Sequence, residues 1–156
     1  MKKQGLPAFN IKNAKIVILG SFPGELSLCA KEYYANTSNQ FWELLGIDSK
    51  LSYQLKKKAL EDKGIGLWDV IKECERDGSL DKNIKNETYN DLTALKGKKI
   101  LFNGTKAYNC FLKANKACNY NLGEITKETN LLPSSSRLCA IKDKQKLWTA
   151  SINNNK

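Results

Sequence analysis

The chain of 156 residues contains no histidine. Histidine is a common general base at neutral pH and a frequent metal ligand, so its absence excludes a Ser-His-Asp triad and any histidine-ligated metal. Five cysteines are present, at positions 29, 74, 110, 118 and 139. Because none has C-x-x-C spacing and metal sites need clustered ligands, we interpret all five as buried free thiols in a reducing compartment. The sequence therefore predicts a site without a metal or an imidazole.

Long apolar runs are also missing. No segment approaches the ~18 apolar residues that cross a membrane, and the amino terminus lacks the apolar stretch of a secretion signal. We expect a soluble cytoplasmic protein, associated with the nucleoid if its source is bacterial or archaeal. The length predicts one domain over residues 1–156, with residues 153–156 as a frayed tail.

Acidic residues are few relative to basic ones. Lysine and arginine total 26 against 16 aspartates and glutamates, which gives a net charge of +10. Only Arg76 and Arg137 are arginines, and asparagine is abundant, so the lysines fit either a biased proteome or a basic binding surface. The net sign is nevertheless typical of a protein with a polyanionic partner.

Short apolar runs with β-branched residues predict buried parallel strands. The three clear runs are Lys15–Gly20, Ile65–Val70 and Lys99–Asn103, and a fourth candidate is Glu124–Leu132. Helical patterns lie between them: one begins near Ser38 or Asn39, and the others cover Ser52–Lys63, Thr105–Lys113 and Ile141–Ile152. In the last of these, we expect Ile141, Leu147, Trp148 and Ile152 to share one buried face. This alternation predicts a parallel α/β sandwich, in which ligands bind at the carboxyl ends of the strands.

The loop after the first strand reads Gly20-Ser-Phe-Pro-Gly24. Its two glycines allow the backbone to approach a ligand closely, although the same pattern also suits an ordinary strand-to-helix turn. It is neither a G-x-G-x-x-G nor a Walker motif, so a dinucleotide or P-loop site is not expected.

The segment Tyr33–Trp42 combines aromatic and amide side chains. Aromatic rings stack on nucleobases and amides hydrogen-bond to their edges. We assign Phe41 and Trp42 to the core, because they begin a helical apolar stripe, and Tyr34 and Asn39 to a site in the preceding loop.

The segment Leu131–Leu138 reads LLPSSSRL. The hydroxyl groups of Ser134, Ser135 and Ser136 suit phosphate contacts, and Arg137 adds a positive charge. Leu138 suits a wedge between stacked bases. A serine-rich connector is the alternative interpretation.

Together these segments resemble the uracil-DNA glycosylase superfamily over nearly the whole chain. The stretch Tyr34–Trp42, YANTSNQFW, is similar to F-A-N-P-G-N-R-F-W of its mismatch-specific uracil/thymine branch. Other segments resemble the hypoxanthine-DNA glycosylase branch more closely. These are the first loop together with Tyr33-Tyr34, and the segments Leu67–Val70, Cys74–Leu80 and Phe102-Asn103-Gly104.

The resemblance implies a three-layer α/β/α sandwich with a central, mostly parallel four-stranded sheet. It implies a monomeric, monofunctional DNA repair enzyme without a cofactor, which flips a deaminated base, with hypoxanthine as the first expectation, out of double-stranded DNA and hydrolyses its N-glycosidic bond. It assigns catalysis to Asn39, which would orient a water because an amide cannot titrate. The implied base pocket consists of Ser21, Phe22, Pro23, Gly24, Tyr34, Asp69 and Asn103, and the DNA-contacting loop of Ser134, Ser135, Ser136, Arg137 and Leu138.

Within that pocket we expect Tyr34 to stack on the base, and Asn103 or a backbone pair to read its edge. Hypoxanthine and uracil present the same acceptor beside a donor, so the preferred base stays open among hypoxanthine, uracil, xanthine and mismatched thymine. Asp69 is either an acid of the site or a strand-end carboxylate held by backbone N–H groups.

The chain also departs from the family. Phe22 stands where the mismatch-specific branch has a water-activating Asn, and Ser136-Arg137-Leu138 replaces a Ser-Pro-Ala type of ending. The alternatives are a uracil or mismatch-specific glycosylase, a hydrolase of free nucleosides, and a catalytically silent nucleic-acid-binding module.

Overall fold

The computed structural model describes residues 2–153. In chain order the strands are β1 (Lys3–Gln4), β2 (Ile16–Gly20), β3 (Ile65–Asp69), β4 (Ile71–Glu75), β5 (Lys85–Tyr89), β6 (Lys99–Asn103) and β7 (Leu131–Leu132). The helices are α1 (Glu25–Ala30), α2 (Phe41–Leu44), α3 (Tyr53–Lys63), α4 (Thr105–Cys118), α5 (Lys127–Asn130) and α6 (Lys144–Asn153). Asn153 ends α6, and the rest of the predicted tail, 154–156, lies outside the described residues.

A four-stranded parallel sheet with the order β3-β2-β6-β7 forms the centre of the molecule. In β2, every residue is buried and Ile18 lies between Leu67 of β3 and Leu101 of β6. A strand covered on both faces must be apolar throughout, which explains its continuous hydrophobic run. The three clear strand predictions are confirmed within one residue at each end.

The fourth strand prediction, Glu124–Leu132, is wrong over most of its length. Only Leu131–Leu132 form a strand, and Lys127–Asn130 form a short helix that the Thr126 side chain caps by accepting from the Thr129 N–H. The buried Asn130 side chain replaces part of the missing strand pairing, because its Nδ2 donates to the Ile100 carbonyl at 2.7 Å. Side-chain capping here overrides β pairing.

Helices cover both faces of the sheet. On one face, Phe111 and Ala114 of α4 join the apolar cluster that contains Val17, Leu19 and Phe102. The opposite face is covered by α2, α3 and α6, whose buried members include Phe41, Leu60 and Trp148. The predicted three-layer α/β/α sandwich is confirmed.

A second, antiparallel sheet with the order β1-β4-β5 was not predicted. Its strands carry mixed polar sequences, KQ, IKECE and KNETY, which show little apolar alternation. It joins the core through Ile71 and Cys74, both fully buried. Since β4 begins two residues after β3 ends, this sheet places β4 and the segment after it beside the carboxyl edge of the central sheet.

The helix predictions hold with corrections. The predicted Ser52–Lys63 helix is α3, and the Ser52 hydroxyl caps it by accepting from the Leu55 N–H at 3.3 Å. Helix α4 extends beyond the predicted Lys113, and α1 was not predicted. The predicted buried face of the last helix is wrong for Ile141 and Leu147, which are 52% and 47% exposed. Ile141 lies before α6, which begins only at Lys144, whereas Leu147 lies within α6 on its exposed side.

The cysteine prediction is half right. Cys74 and Cys110 are buried free thiols, whereas Cys29 and Cys118 are exposed and Cys139 is intermediate. No helix within residues 2–153 is long and apolar enough to cross a membrane.

Candidate active site

A cavity of about 750 Å³ opens at the carboxyl edge of the central sheet. The parallel strands place the ends of β2, β3, β6 and β7 at this edge, as the sequence predicted. Every predicted site residue lines the cavity: Ser21, Phe22, Pro23, Gly24, Tyr34, Asn39, Asp69, Asn103, Ser134, Ser135, Ser136, Arg137 and Leu138. The structure thus brings together three loops that lie far apart in the sequence.

The first loop rests on a buried arginine that the sequence analysis treated only as part of the charge count. Arg76 is 4% exposed, and its Nη2 and Nε donate to the carbonyl oxygens of Pro23 and Gly78 at 2.5 and 2.8 Å. Its guanidinium also lies 5.2 Å from the centre of the Phe22 ring. Arg76 therefore fixes the loop from below, and Phe22 occupies a packed position in the floor of the cavity.

Asp69 ends strand β3 in the floor and is 5% exposed. Its Oδ2 is buried and has no hydrogen-bond partner among residues 2–153. Burial first, and then repulsion from Asp81, raises the pKa of Asp69 to about 7, against the opposing effects of Arg76 and a backbone hydrogen bond from Gly20. The sequence left open an acid or a strand-end carboxylate held by backbone, and the structure shows a backbone contact together with an unpaired oxygen.

Asp81 is a second carboxyl group of the cavity, which the sequence analysis missed. It lies in a short 3-10 turn, Asp81–Asn83, and its Oδ1 accepts from the Ser21 hydroxyl at 2.9 Å. Burial raises its pKa, while the Ser21 hydrogen bond and the charges of Arg76 and Lys106 act in the opposite direction. The floor thus contains two carboxyl groups that disfavour each other's ionisation.

Asn103 forms the wall between the floor and the last loop. Its Nδ2 donates to the Tyr34 hydroxyl at 3.1 Å and to the Ser135 hydroxyl at 2.8 Å, and its Oδ1 accepts from the Ser135 N–H at 2.8 Å. Both amide hydrogens are therefore in use, and only one lone pair of Oδ1 remains for a ligand.

Tyr34 lies in the cavity wall with its ring stacked on Phe41, at 3.7 Å between centroids and 11° between planes. Its φ of 54° is in the left-handed region, which a bulky residue adopts only when surrounding contacts impose it. Those contacts include Trp42, whose Nε1 donates to the Tyr34 carbonyl at 3.1 Å. Phe41 and Trp42 are 0% and 3% exposed, so their assignment to the core is confirmed.

Asn39 lies half-buried where the cavity meets helix α2. Its Oδ1 accepts from the Phe41 N–H at 2.9 Å, and its own N–H donates to the Asn36 carbonyl. The Nδ2 group forms no hydrogen bond within residues 2–153, so the side chain is held at one end and is able to bind a water at the other.

The last loop combines one buried and several exposed residues. Ser135 is 1% exposed and its hydroxyl accepts from Asn103 Nδ2, so its side chain is not available for the phosphate contacts predicted for this loop. Leu138 is 84% exposed, the most exposed of the large apolar residues. Arg137 donates from Nε to the Ser38 carbonyl at 2.9 Å, which connects this loop with the segment that carries Asn39.

A buried lysine, also missed, strengthens that connection. Lys144 is 8% exposed and its Nζ donates to Gln40 Oε1, the Ser136 carbonyl and the Cys139 carbonyl at 2.7, 3.1 and 3.0 Å. Since Gln40 follows Asn39 and the two carbonyls flank Leu138, one ammonium group joins both sides of the cavity mouth. Three acceptors satisfy a buried ammonium, which explains why the charge is tolerated.

The structure is a parallel α/β/α sandwich with a polar cavity at the carboxyl edge of its sheet and an exposed leucine at the mouth, which is the arrangement that the resemblance to DNA N-glycosylases implied. The sequence model of the Uracil DNA glycosylase superfamily matches residues 6–153. The chain therefore belongs to the uracil DNA glycosylase superfamily, as its loop motifs predicted.

Individual relatives agree with this membership. Two proteins named Hypoxanthine DNA glycosylase, from Methanosarcina barkeri and Methanosarcina acetivorans, are 39% and 40% identical over 148 residues, with 87% of each chain covered. A G/U mismatch-specific uracil DNA glycosylase from Schizosaccharomyces pombe is 28% identical over 110 residues, which cover 67% of this chain and 31% of that one. The solution NMR structure of a candidate uracil DNA glycosylase from Methanosarcina acetivorans superposes with a TM-score of 0.75 at 34% identity, over 99% of both chains.

Proposed function

We propose that this glycosylase excises hypoxanthine from double-stranded DNA and leaves an abasic site, acting as a monomer on chromosomal DNA in the cytoplasm. The observation that carries the proposal is the position of Asn39: its amide lies at the cavity mouth with Nδ2 unpaired, next to a pocket closed by Tyr34 and Asn103. The two relatives named Hypoxanthine DNA glycosylase support this choice of base.

The exposed loop accounts for access to the base. A base inside a duplex must leave the stack, which costs a few kcal/mol and least when the base is mispaired. Leu138 enters the space that the base vacates, and Arg137 with the half-buried Ser134 and Ser136 contacts the flanking phosphates. The net charge of +10 favours the initial encounter with DNA.

The flipped base lies on the face of Tyr34 opposite Phe41, because Phe41 already covers the other face. As the N-glycosidic bond lengthens, positive charge develops on the sugar, and a water held by Asn39 is aligned to attack it. Asn39 acts by position alone, since an amide takes up no proton at neutral pH. The products are the free base and an abasic sugar.

The test uses duplexes that contain one hypoxanthine, uracil, xanthine or mismatched thymine, with alkali-labile strand breaks as the measure of base loss. Wild type is expected to act fastest on hypoxanthine. Asn39→Ala is expected to lower the single-turnover rate on the order of 10²-fold or more, the size seen when one positioned transition-state group is removed. Asn109→Ala, an exposed asparagine on α4, is the matched control and should leave the rate unchanged.

Asn39→Ala also removes the hydrogen bond to the Phe41 N–H, at a cost to stability of ~1 kcal/mol. Asn39→Asp keeps an acceptor at that position and separates the two effects. No base release from any duplex by wild type would contradict the proposed function, and full activity of Asn39→Ala would remove its assigned role. Release of uracil in preference to hypoxanthine would favour the activity named for the Schizosaccharomyces pombe relative.

A further inference from the structure

The floor of the cavity contains two carboxyl groups that would oppose the proposed reaction if both were ionised. Asp69 and Asp81 line the same cavity, Asp69 with an unpaired buried Oδ2 and Asp81 with one oxygen on the Ser21 hydroxyl. Heterolysis of the bond between the sugar and the base moves an electron pair onto the base, which then carries negative charge. Two ionised carboxylates beside that charge would oppose its formation in a buried site.

Few positive charges surround Asp69 and Asp81 to balance two ionised carboxylates. Arg76 is the cation that acts on both carboxylates, and its Nη2 and Nε are engaged by the carbonyls of Pro23 and Gly78. Lys106 acts on Asp81 alone, and the other titratable neighbours are the phenols of Tyr33 and Tyr34. Burial raises the pKa of both phenols well above the ordinary value, so they stay neutral and donate no proton to a leaving group.

Two other polar side chains of the floor and wall, Ser21 and Asn103, already use their donors. Ser21 donates to Asp81, and both amide hydrogens of Asn103 go to Tyr34 and Ser135. Asp69 lines the same cavity, so its carboxyl group would be a donor there when it carries one proton, and its Oδ2 has no hydrogen-bond partner among the described residues.

We propose that Asp69 is the catalytic acid that protonates the departing base, and that Asp81 is the positioning residue that keeps this proton on Asp69. The step rests on the proposed function. The bond between C1′ and the base nitrogen breaks, its electron pair remains on the base, and the carboxyl proton of Asp69 transfers to the base. A water oxygen then bonds to C1′ and releases its proton to solvent, from which Asp69 is reprotonated. The sum is one water consumed, with the free base and the abasic sugar formed.

The pH dependence follows from the protonated form being active. Because burial and Asp81 raise the pKa of Asp69 to about 7, the active fraction is high in mild acid and decreases above neutrality. The single-turnover rate of wild type on a hypoxanthine duplex is therefore expected to be level at pH 5.5–6.5 and to fall about tenfold per pH unit well above pH 7.

Two variants and one control test the assignment across the same pH range. Asp69→Asn cannot transfer a proton, so its rate should be on the order of 10²-fold lower at pH 6 and independent of pH. Asp81→Asn removes the repulsion, so the fall in rate should begin at lower pH than in wild type. Asp62→Asn, an exposed carboxylate on α3 that pairs with Lys58, should behave as wild type.

A direct measurement keeps the assignment testable if a variant fails to fold. The ¹³C shift of the Asp69 carboxyl group in the free wild-type protein should titrate near neutrality, and Asp81→Asn should move that titration to lower pH. A level wild-type profile through pH 8.5 with active enzyme, a pH-dependent Asp69→Asn, or an Asp69 carboxyl already ionised at pH 5 would each overturn the assignment while the proposed function stands. Absence of base release at every pH would overturn the proposed function and the acid role with it.

Discussion

The floor and the mouth of the cavity differ in almost every physical property. The floor residues Asp69 and Ser21 are 5% and 7% exposed and are surrounded by side chains that fix them. Leu138 at the mouth is 84% exposed and meets solvent. The charge of the Asp69 carboxyl group in the floor depends on pH near neutrality, because burial penalises the ionised form. The groups at the mouth are exposed and are the ones available for contact with DNA. The two regions can therefore be separated by experiments in which pH, backbone space and apolar surface are changed one at a time.

The largest expected effect concerns stability and the charge of Asp69. Its pKa in the folded protein is raised to about 7 from the ordinary 3.8, so between these values the folded state binds more protons than the unfolded state. The free energy of unfolding should therefore fall as pH rises from 4 to 7, by up to ~1.4 kcal/mol per pH unit from this group. Urea unfolding across this range should show a steeper fall in wild type than in Asp69→Asn, because the variant lacks the contribution of this group. Equal slopes would contradict a buried Asp69 that binds a proton in the folded protein.

The second effect concerns space in the floor. A Cβ at Gly20 would lie 2.5 Å from Asp69 Oδ1, so Gly20→Ala must displace the acid and is expected to lower the excision rate ~100-fold, as 1 Å misplacements do. Gly24→Ala in the same loop is the matched control, because its Cβ would meet Ser79 Oγ at 3.5 Å, an ordinary contact. Duplex affinity should be similar in both variants. A Gly20→Ala enzyme with the wild-type rate would show that the Asp69 side chain moves aside without loss of activity, and would contradict the prediction.

The smallest effect concerns the mouth. Leu138→Ala removes exposed apolar surface, so stability should change by less than ~0.5 kcal/mol while excision from duplex DNA falls ~10-fold. Leu112→Ala, 45% exposed on α4 and away from the cavity, is the control. Excision from single-stranded DNA, where no stack must be opened, should be nearly unaffected. Equal losses in excision and in nonspecific binding would contradict a wedge role for Leu138.

Much of the floor was predictable because strand ends are visible in a sequence. Asp69 and Asn103 each terminate a buried apolar run, and parallel strands bring their carboxyl ends to one edge. Asp81 and Arg76 were missed because their positions depend on tertiary contacts, such as the hydrogen bond from Arg76 to Pro23 across 53 residues. The sequence around them is polar and carries no periodic signal.

The errors at the mouth and in the helices have a different origin. Thr126 and Asn130 provide side-chain hydrogen bonds that turn a predicted strand into a helix, and such local competition is decided by small energies. Ile141 and Leu147 fit a helical apolar stripe, yet both are exposed. Ile141 lies in the loop that continues to Asp143, and Leu147 lies in α6 on the side that faces solvent. Lys144 looked like one more surface lysine, since nothing in a sequence marks which of 24 lysines is buried.

The ammonium group of Lys144 has a consequence for the order of events on DNA. Its bonds to Gln40 on one side and to Ser136 and Cys139 on the other make the two lips of the cavity a single mechanical unit. If Leu138 enters the base stack and Asn39 holds the attacking water, as proposed above, this connection would link penetration of the duplex to alignment of the water. Undamaged DNA that does not admit the leucine would then leave the water misaligned, which would restrain hydrolysis of normal bases.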